Sequence, residues 1–192
     1  MEEYLKEEGL EDEIEQYDWE FHLVEDDAVN AFAMPGGKIV IFTGIMPVAR
    51  DETGLAVIMG HEIAHVVANH GNERMSQGLL TQFGGIAIAT ALRDYPATTR
   101  ALFMAAYGAG AQIGILLPYS RLHESEADHL GLIFMAMAGY DPREAPRFWE
   151  RMAAHKAANG PPEFLSTHPA DQRRVRDLED LVPEALEYYE NR

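Results

Sequence analysis

Two histidines four residues apart flank a glutamate in His61-Glu62-Ile63-Ala64-His65. On an α-helix, positions i and i+4 share a face, so both imidazoles reach one ion. Neutral imidazoles suit Zn²⁺, and a carboxylate beside the first, here Glu62, can act as base toward a water held by that ion. A catalytic zinc needs a third protein ligand and an open fourth position. The short-range solution, HExxHxxGxxH, is absent: Ala68 stands where its glycine belongs and Gly71 where its third histidine belongs. His70 lies five residues past His65, roughly 140° further round a helix, and reads as a surface or capping histidine. The third ligand is therefore expected from another helix. Glu124 and Asp128, in Ser120-Arg121-Leu122-His123-Glu124-Ser125-Glu126-Ala127-Asp128, are i and i+4. One of these carboxylates can bind metal while the other orients a ligand imidazole.

The elements that must position these residues follow from pattern and punctuation. Asp51 is a plausible N-cap for a helix over Glu52–Asn69 that Gly71 ends, which places His61 and His65 mid-helix. Tyr17–Val24 alternates and is rich in aromatics, so it reads as a strand. Asn30–Met34 and Lys38–Thr43 flank Pro35-Gly36-Gly37, the signal of a hairpin. Met75–Leu92 and Ala101–Ser120 carry no charge and are separated by the polar turn Arg93–Arg100. Their length raises a membrane question, although Ser76, Gln77, Thr81, Gln82 and Gln112 favour packed or interface-facing helices. Further helices are expected over Ser120–Gly139, Arg143–Ala158 and Ala170–Leu181, with a loop over Asn159–Pro169. The fold class that results is α+β: a mainly α-helical domain over residues 17–192 with a small antiparallel β-sheet beside the histidine helix. An acidic N-terminal arm over residues 1–16 precedes it.

Composition narrows the function classes. A chain of 192 residues with 47% hydrophobic and 24% charged residues is that of a folded globular protein. Cysteine is absent, which excludes disulfides, thiolate ligands and cysteine nucleophiles. Net charge is −17, and residues 1–27 hold 13 acids against Lys6 alone. A solvated acidic arm explains this, and a gate or dock for a basic partner is the sharper alternative. Nucleic acid is not expected as a partner, because phosphate binding needs a basic footprint. Met1-Glu2-Glu3 opens without a cationic start and apolar run, so no signal peptide is expected.

The pattern HExxH followed by S-R-x-x-E-x-x-A-D-x-x-G resembles the gluzincin-type zinc metallopeptidase family of the CAAX prenyl protease, HtpX and BepA. The resemblance extends to Asn30-Ala31-Phe32-Ala33-Met34-Pro35-Gly36-Gly37 before the catalytic helix, and to Ser166-Thr167-His168-Pro169 with Arg173-Arg174 after it. It is nearest the BepA-like and mitochondrial quality-control branches, which are soluble or membrane-peripheral. It implies one Zn²⁺ per chain held by His61, His65 and Glu124, with Asp128 behind the ligands and Glu62 as general base of peptide hydrolysis. It also implies a role for His168, either as a donor to the developing oxyanion alongside Arg173 and Arg174, or as a latch that occupies the open metal position. A polypeptide substrate is expected to add as a strand along Asn30, Ala31, Phe32 and Ala33, with Phe32 equally readable as a core residue. The implied function is a metalloendopeptidase in quality control of exported or membrane-associated proteins. A non-enzymatic alternative is a chaperone-like zinc protein permanently capped by His168. Periplasmic or membrane-associated location follows from the resemblance, with contact to a membrane surface through residues 75–120; the opening residues leave the cytoplasm open as well.

Overall fold

A computed structural model describes residues 17–191 apart from 35, 161, 170 and 171, together with Gly9. The acidic arm expected over residues 1–16 therefore lies outside the described residues, as does Pro35 of the hairpin turn. Three strands are present: β1 (Glu20–Val24), β2 (Ala31–Met34) and β3 (Lys38–Phe42). A 3₁₀ turn over Thr43–Ile45 leads into the short α1 (Met46–Ala49). The longer helices are α2 (Glu52–Val67), α3 (His70–Ala91), α4 (Ala97–Ala111), α5 (Leu117–Met137) and α6 (Glu144–Asn159). The short α7 (Phe164–Thr167) and the long α8 (Gln172–Glu190) complete the chain.

The sheet order is β1-β3-β2. The expected hairpin forms, with β2 antiparallel to β3 in a register that pairs Phe32 with Val40. Gly36 and Gly37 turn it at φ of 90° and 87°, a conformation that side chains other than glycine's resist. β1 pairs parallel to β3, so the sheet is mixed rather than antiparallel throughout. A parallel neighbour needs a crossover rather than a tight turn, and the hairpin itself supplies it here. β3 is central and buried at Ile39, Val40 and Ile41, whereas β2 forms one edge.

The described residues fall into two compact units, one made of residues 1–69 with 124–192 and the other of His70–His123. In the first, the sheet residues Ala31, Ile39 and Ile41 share a core with Val57 and Ile58 of α2, Phe148, Trp149 and Met152 of α6, Phe164 and Leu178. A second cluster joins Ala64 and Val67 of α2 to Ala127, Leu130, Ile133 and Phe134 of α5. The two helices meet where neither has a side chain. A Cβ on Gly60 would stand 2.6 Å from the Gly131 carbonyl oxygen, and one on Gly131 would stand 2.8 Å from the His61 nitrogen. Only hydrogen fits at that crossing, which brings the Glu124 helix against the His61 helix.

The second unit is a helical hairpin, α3 and α4, followed by a π-helical stretch over Gln112–Leu116 that runs into α5. The Tyr107 hydroxyl donates to the Thr81 carbonyl at 2.8 Å and ties the two helices together. No helix among the described residues is long and apolar enough to cross a membrane. Leu79, Leu80, Phe83, Ile86, Leu102 and Phe103 nevertheless stand exposed. The Tyr107 side of the hairpin is thus packed, and these apolar side chains are exposed.

Candidate metal centre

The side chain of Asp51 caps α2 by accepting from the amides of Thr53 and Gly54, both at 3.0 Å, as its position suggested. The helix ends two residues earlier than expected, because Asn69 takes φ 59° and breaks it; Gly71 lies inside the next helix. His61 and His65 sit on the last two turns, buried and half-buried. Glu124 and Asp128 project from α5 one turn apart, and His168 follows α7 on a backbone held by its own amide donating to the Phe164 carbonyl at 2.9 Å.

One donor atom from each of His61, His65, Glu124 and His168 lies within 4.8 Å of the others, so these four could hold a metal ion. His61 Nε2 is 3.1 Å from His65 Nε2 and 3.1 Å from His168 Nδ1. Glu124 approaches all three imidazoles, through Oε2 to His61 at 3.4 Å, Oε1 to His65 at 3.3 Å and Oε2 to His168 at 3.0 Å. Lone pairs of nitrogen and oxygen crowded this closely in a buried place need protons or a shared cation between them. Among the described residues no other such group converges.

Asp128 stands behind His61 rather than in the donor group. Its Oδ1 is 3.0 Å from His61 Nδ1, so it accepts from that nitrogen and turns Nε2 toward the group. Glu62, at 1% exposure, points its Oε1 to a place with no hydrogen-bond partner, 3.4 Å from His168 Nε2. A buried carboxylate oxygen that accepts no hydrogen bond is rare and is a candidate for a catalytic role.

Electrostatics follow from the packing. Burial works against a charge on His61, yet the hydrogen bonds with Asp128 and Glu124 outweigh it and raise its pKa to about 9. At His65 burial prevails over the Glu124 carboxylate and lowers the pKa to about 3. Burial would raise Glu124, but hydrogen bonds from His168, His61 and His65 hold it well below the usual carboxylate range. Asp128 is likewise held low, against its burial, by the charge of Arg174 and the bond from His61.

The two arginines expected near the site part company. Arg173 is exposed and pairs with Asp177 at 3.4 Å. Arg174 is buried among the carboxylates, where sequence reasoning offered it only as an oxyanion donor. Asn30, Ala31, Phe32 and Ala33 do not enter the donor group; Phe32 is half-buried with its ring 6.0 Å from that of Phe42. The amide of Phe164, ahead of His168, donates to the carbonyl of Val29 at 3.2 Å, which joins the His168 segment to the residue before this strand. His70 is buried, not a surface residue, and its ring stacks on His123 at 4.3 Å.

The sequence matches the model of Peptidase family M48 over residues 1–182. It is 38% identical over 168 residues to the mitochondrial metalloendopeptidase OMA1 of Schizosaccharomyces pombe, covering 87% of this chain and 48% of that protein. It is 36% identical over 182 residues to the mitochondrial metalloendopeptidase OMA1 of Homo sapiens, covering 92% and 35%. Against the beta-barrel assembly-enhancing protease of Yersinia pestis it is 32% identical over 161 residues, covering 82% and 33%. The chain thus spans about half the length, or less, of these relatives.

Proposed function

The chain belongs to peptidase family M48, and from that membership and its donor geometry we propose that it is a zinc-dependent metalloendopeptidase. The observation that carries the reading is the convergence of His61, His65, Glu124 and His168 beside Oε1 of Glu62, which accepts no hydrogen bond. Four donors about 2.0–2.1 Å from one zinc ion at tetrahedral angles stand about 3.3–3.4 Å apart. His61 from His65 and His168, and Glu124 from each of the three histidines, stand 3.0 to 3.4 Å apart, and all four donors lie within 4.8 Å of one another.

His61, His65 and Glu124 hold the ion, and Asp128 keeps the His61 imidazole in the tautomer that presents Nε2. A zinc ion held there supplies Lewis acidity toward water and toward the scissile carbonyl. Glu62 Oε1 takes the proton of the attacking water and delivers it to the leaving amine. The polypeptide adds as a strand to the outer edge of β2, along Asn30–Ala33, where main-chain groups bind extended peptide regardless of sequence. The names of the relatives join one group to mitochondria and another to β-barrel assembly, so the substrates we propose are exported or membrane-associated proteins. The exposed apolar side chains of the hairpin rest on a membrane surface in this reading.

A second reading rests on one further observation. His168 Nδ1 stands where a fourth ligand would, 3.1 Å from His61 Nε2 and 3.0 Å from Glu124 Oε2. In this reading His168 closes the site, and a bound peptide must displace it. The tests separate the possibilities. Purified protein should bind one zinc per chain and cleave casein in a chelator-sensitive way. Glu62→Gln should keep its zinc and lose about 10²–10⁴-fold in kcat; unchanged turnover would overturn the assignment. His168→Ala should raise activity if the residue is a latch and lower it if it supports the oxyanion.

A further inference from the structure

Two carboxylates one turn apart on a helix repel each other unless a cation stands between them. Glu124 and Asp128 are such a pair, and one guanidinium answers both. Arg174 Nε donates to Asp128 Oδ2 at 2.8 Å and Nη2 to Oδ1 at 2.7 Å, a two-pronged grip. Its Nη1 donates to Glu124 Oε2 at 3.0 Å and to the carbonyl of Pro169, next to His168, at 3.1 Å. Nη2 also lies 3.3 Å from the ring nitrogens of His61. The carbon between these nitrogens lies 3.4 Å from the ring centre of Trp149, itself 1% exposed. Stacking on that indole fixes the plane of the fork and hence the direction of every N–H in it.

We propose that Arg174 is a positioning residue of the metal centre: its planar fork, laid on Trp149, sets the orientation of the ligand Glu124 and of Asp128 behind His61. The proposal deepens the zinc reading and rests on it. Charge alone does not do this work. A lysine brings the same charge as a point on a flexible stem, which cannot bridge two carboxylates and a carbonyl while stacking on an indole. Groups placed behind metal ligands are worth about 10–100-fold in metal affinity.

The test measures zinc affinity by competition with a chromophoric chelator, independently of turnover, on wild type, Arg174→Lys and Arg174→Ala. Far-UV circular dichroism and thermal unfolding in excess chelator check that each variant folds. Arg174→Lys should fold and bind zinc about 10–100-fold more weakly than wild type. Adding guanidinium to Arg174→Ala at concentrations well below denaturing should restore affinity, whereas methylammonium, an equal charge without the fork, should not. Zinc affinity of Arg174→Lys equal to that of wild type would overturn the proposal. So would a loss that guanidinium does not relieve, or that methylammonium relieves equally. Failure of the wild type to bind zinc would instead remove the reading on which the proposal rests, and is visible before any variant is made.

Discussion

The two units of this chain invert the usual rule of burial in opposite directions. The unit made of residues 1–69 and 124–192 buries charge: Glu62, Asp128 and Arg174 are all under one-tenth exposed, with His61 and His168 among them. The helical hairpin of His70–His123 exposes apolar side chains, Leu80 at 72% and Leu102 at 70% among them. Buried charge is costly unless each group meets its partner, so it survives where geometry is dictated in detail. Exposed apolar surface costs little within the monomer and gains from whatever covers it. One unit holds its chemistry by precise internal pairing, while the other leaves apolar side chains exposed. The hairpin too has two buried polar side chains, His70 and His123, whose rings stack, and His123 Nε2 lies 2.7 Å from Oε2 of the exposed Glu73.

The largest effect is expected at the donor group. Glu124→Ala should cost the protein its stoichiometric zinc, read by elemental analysis after gel filtration; full retention would remove Glu124 from the donor group. Next in size is the helix crossing. Gly131→Ala forces a methyl group against the His61 nitrogen and the Gly60 backbone, and should destabilise by roughly 1–3 kcal/mol in chemical denaturation. It should also weaken zinc binding, because α2 and α5 must separate. A smaller effect is expected at the hairpin base: Glu73→Gln gives up a charge-assisted bond to His123, costing roughly 0.5–1.5 kcal/mol with zinc affinity retained. Smallest is the outer face. Leu80→Asp with Leu102→Asp should shift stability by no more than about 0.5 kcal/mol per site, while abolishing flotation with lipid vesicles. A large loss of stability would show that these side chains are covered within the folded protein, and continued flotation would sink the membrane reading.

Much of the first unit is legible in the sequence. The Asp51 cap, the helix carrying His61 and His65, the hairpin turn at Gly36-Gly37 and the one-turn spacing of Glu124 and Asp128 are local, set by neighbours within about four residues. Other features are not. Asn69 ends α2 from the left-handed region, a role the sequence suggested for Gly71. α8 was expected to stop at Leu181, yet it continues past Pro183 to Glu190, because Ala185, Tyr188 and Tyr189 pack into the core and outweigh the hydrogen bond that the proline forfeits. The parallel pairing of β1 with β3 depends on which edge of a hairpin a strand finds, and alternation carries no information about that.

By itself, then, the sequence determined what each segment is and which residue types it offers: two imidazoles on one helix face, two carboxylates on another, a histidine in a C-terminal loop, and two adjacent arginines. Tertiary structure alone decided which of them meet. His61 and His168 are 107 residues apart and 3.1 Å from each other. Of the two neighbouring arginines, one lies in solvent and the other holds the carboxylates together. The physical reason is that local periodicity follows from backbone geometry, which each segment carries alone. The pairing of buried charges follows from desolvation, which exists only once helices pack and exclude water.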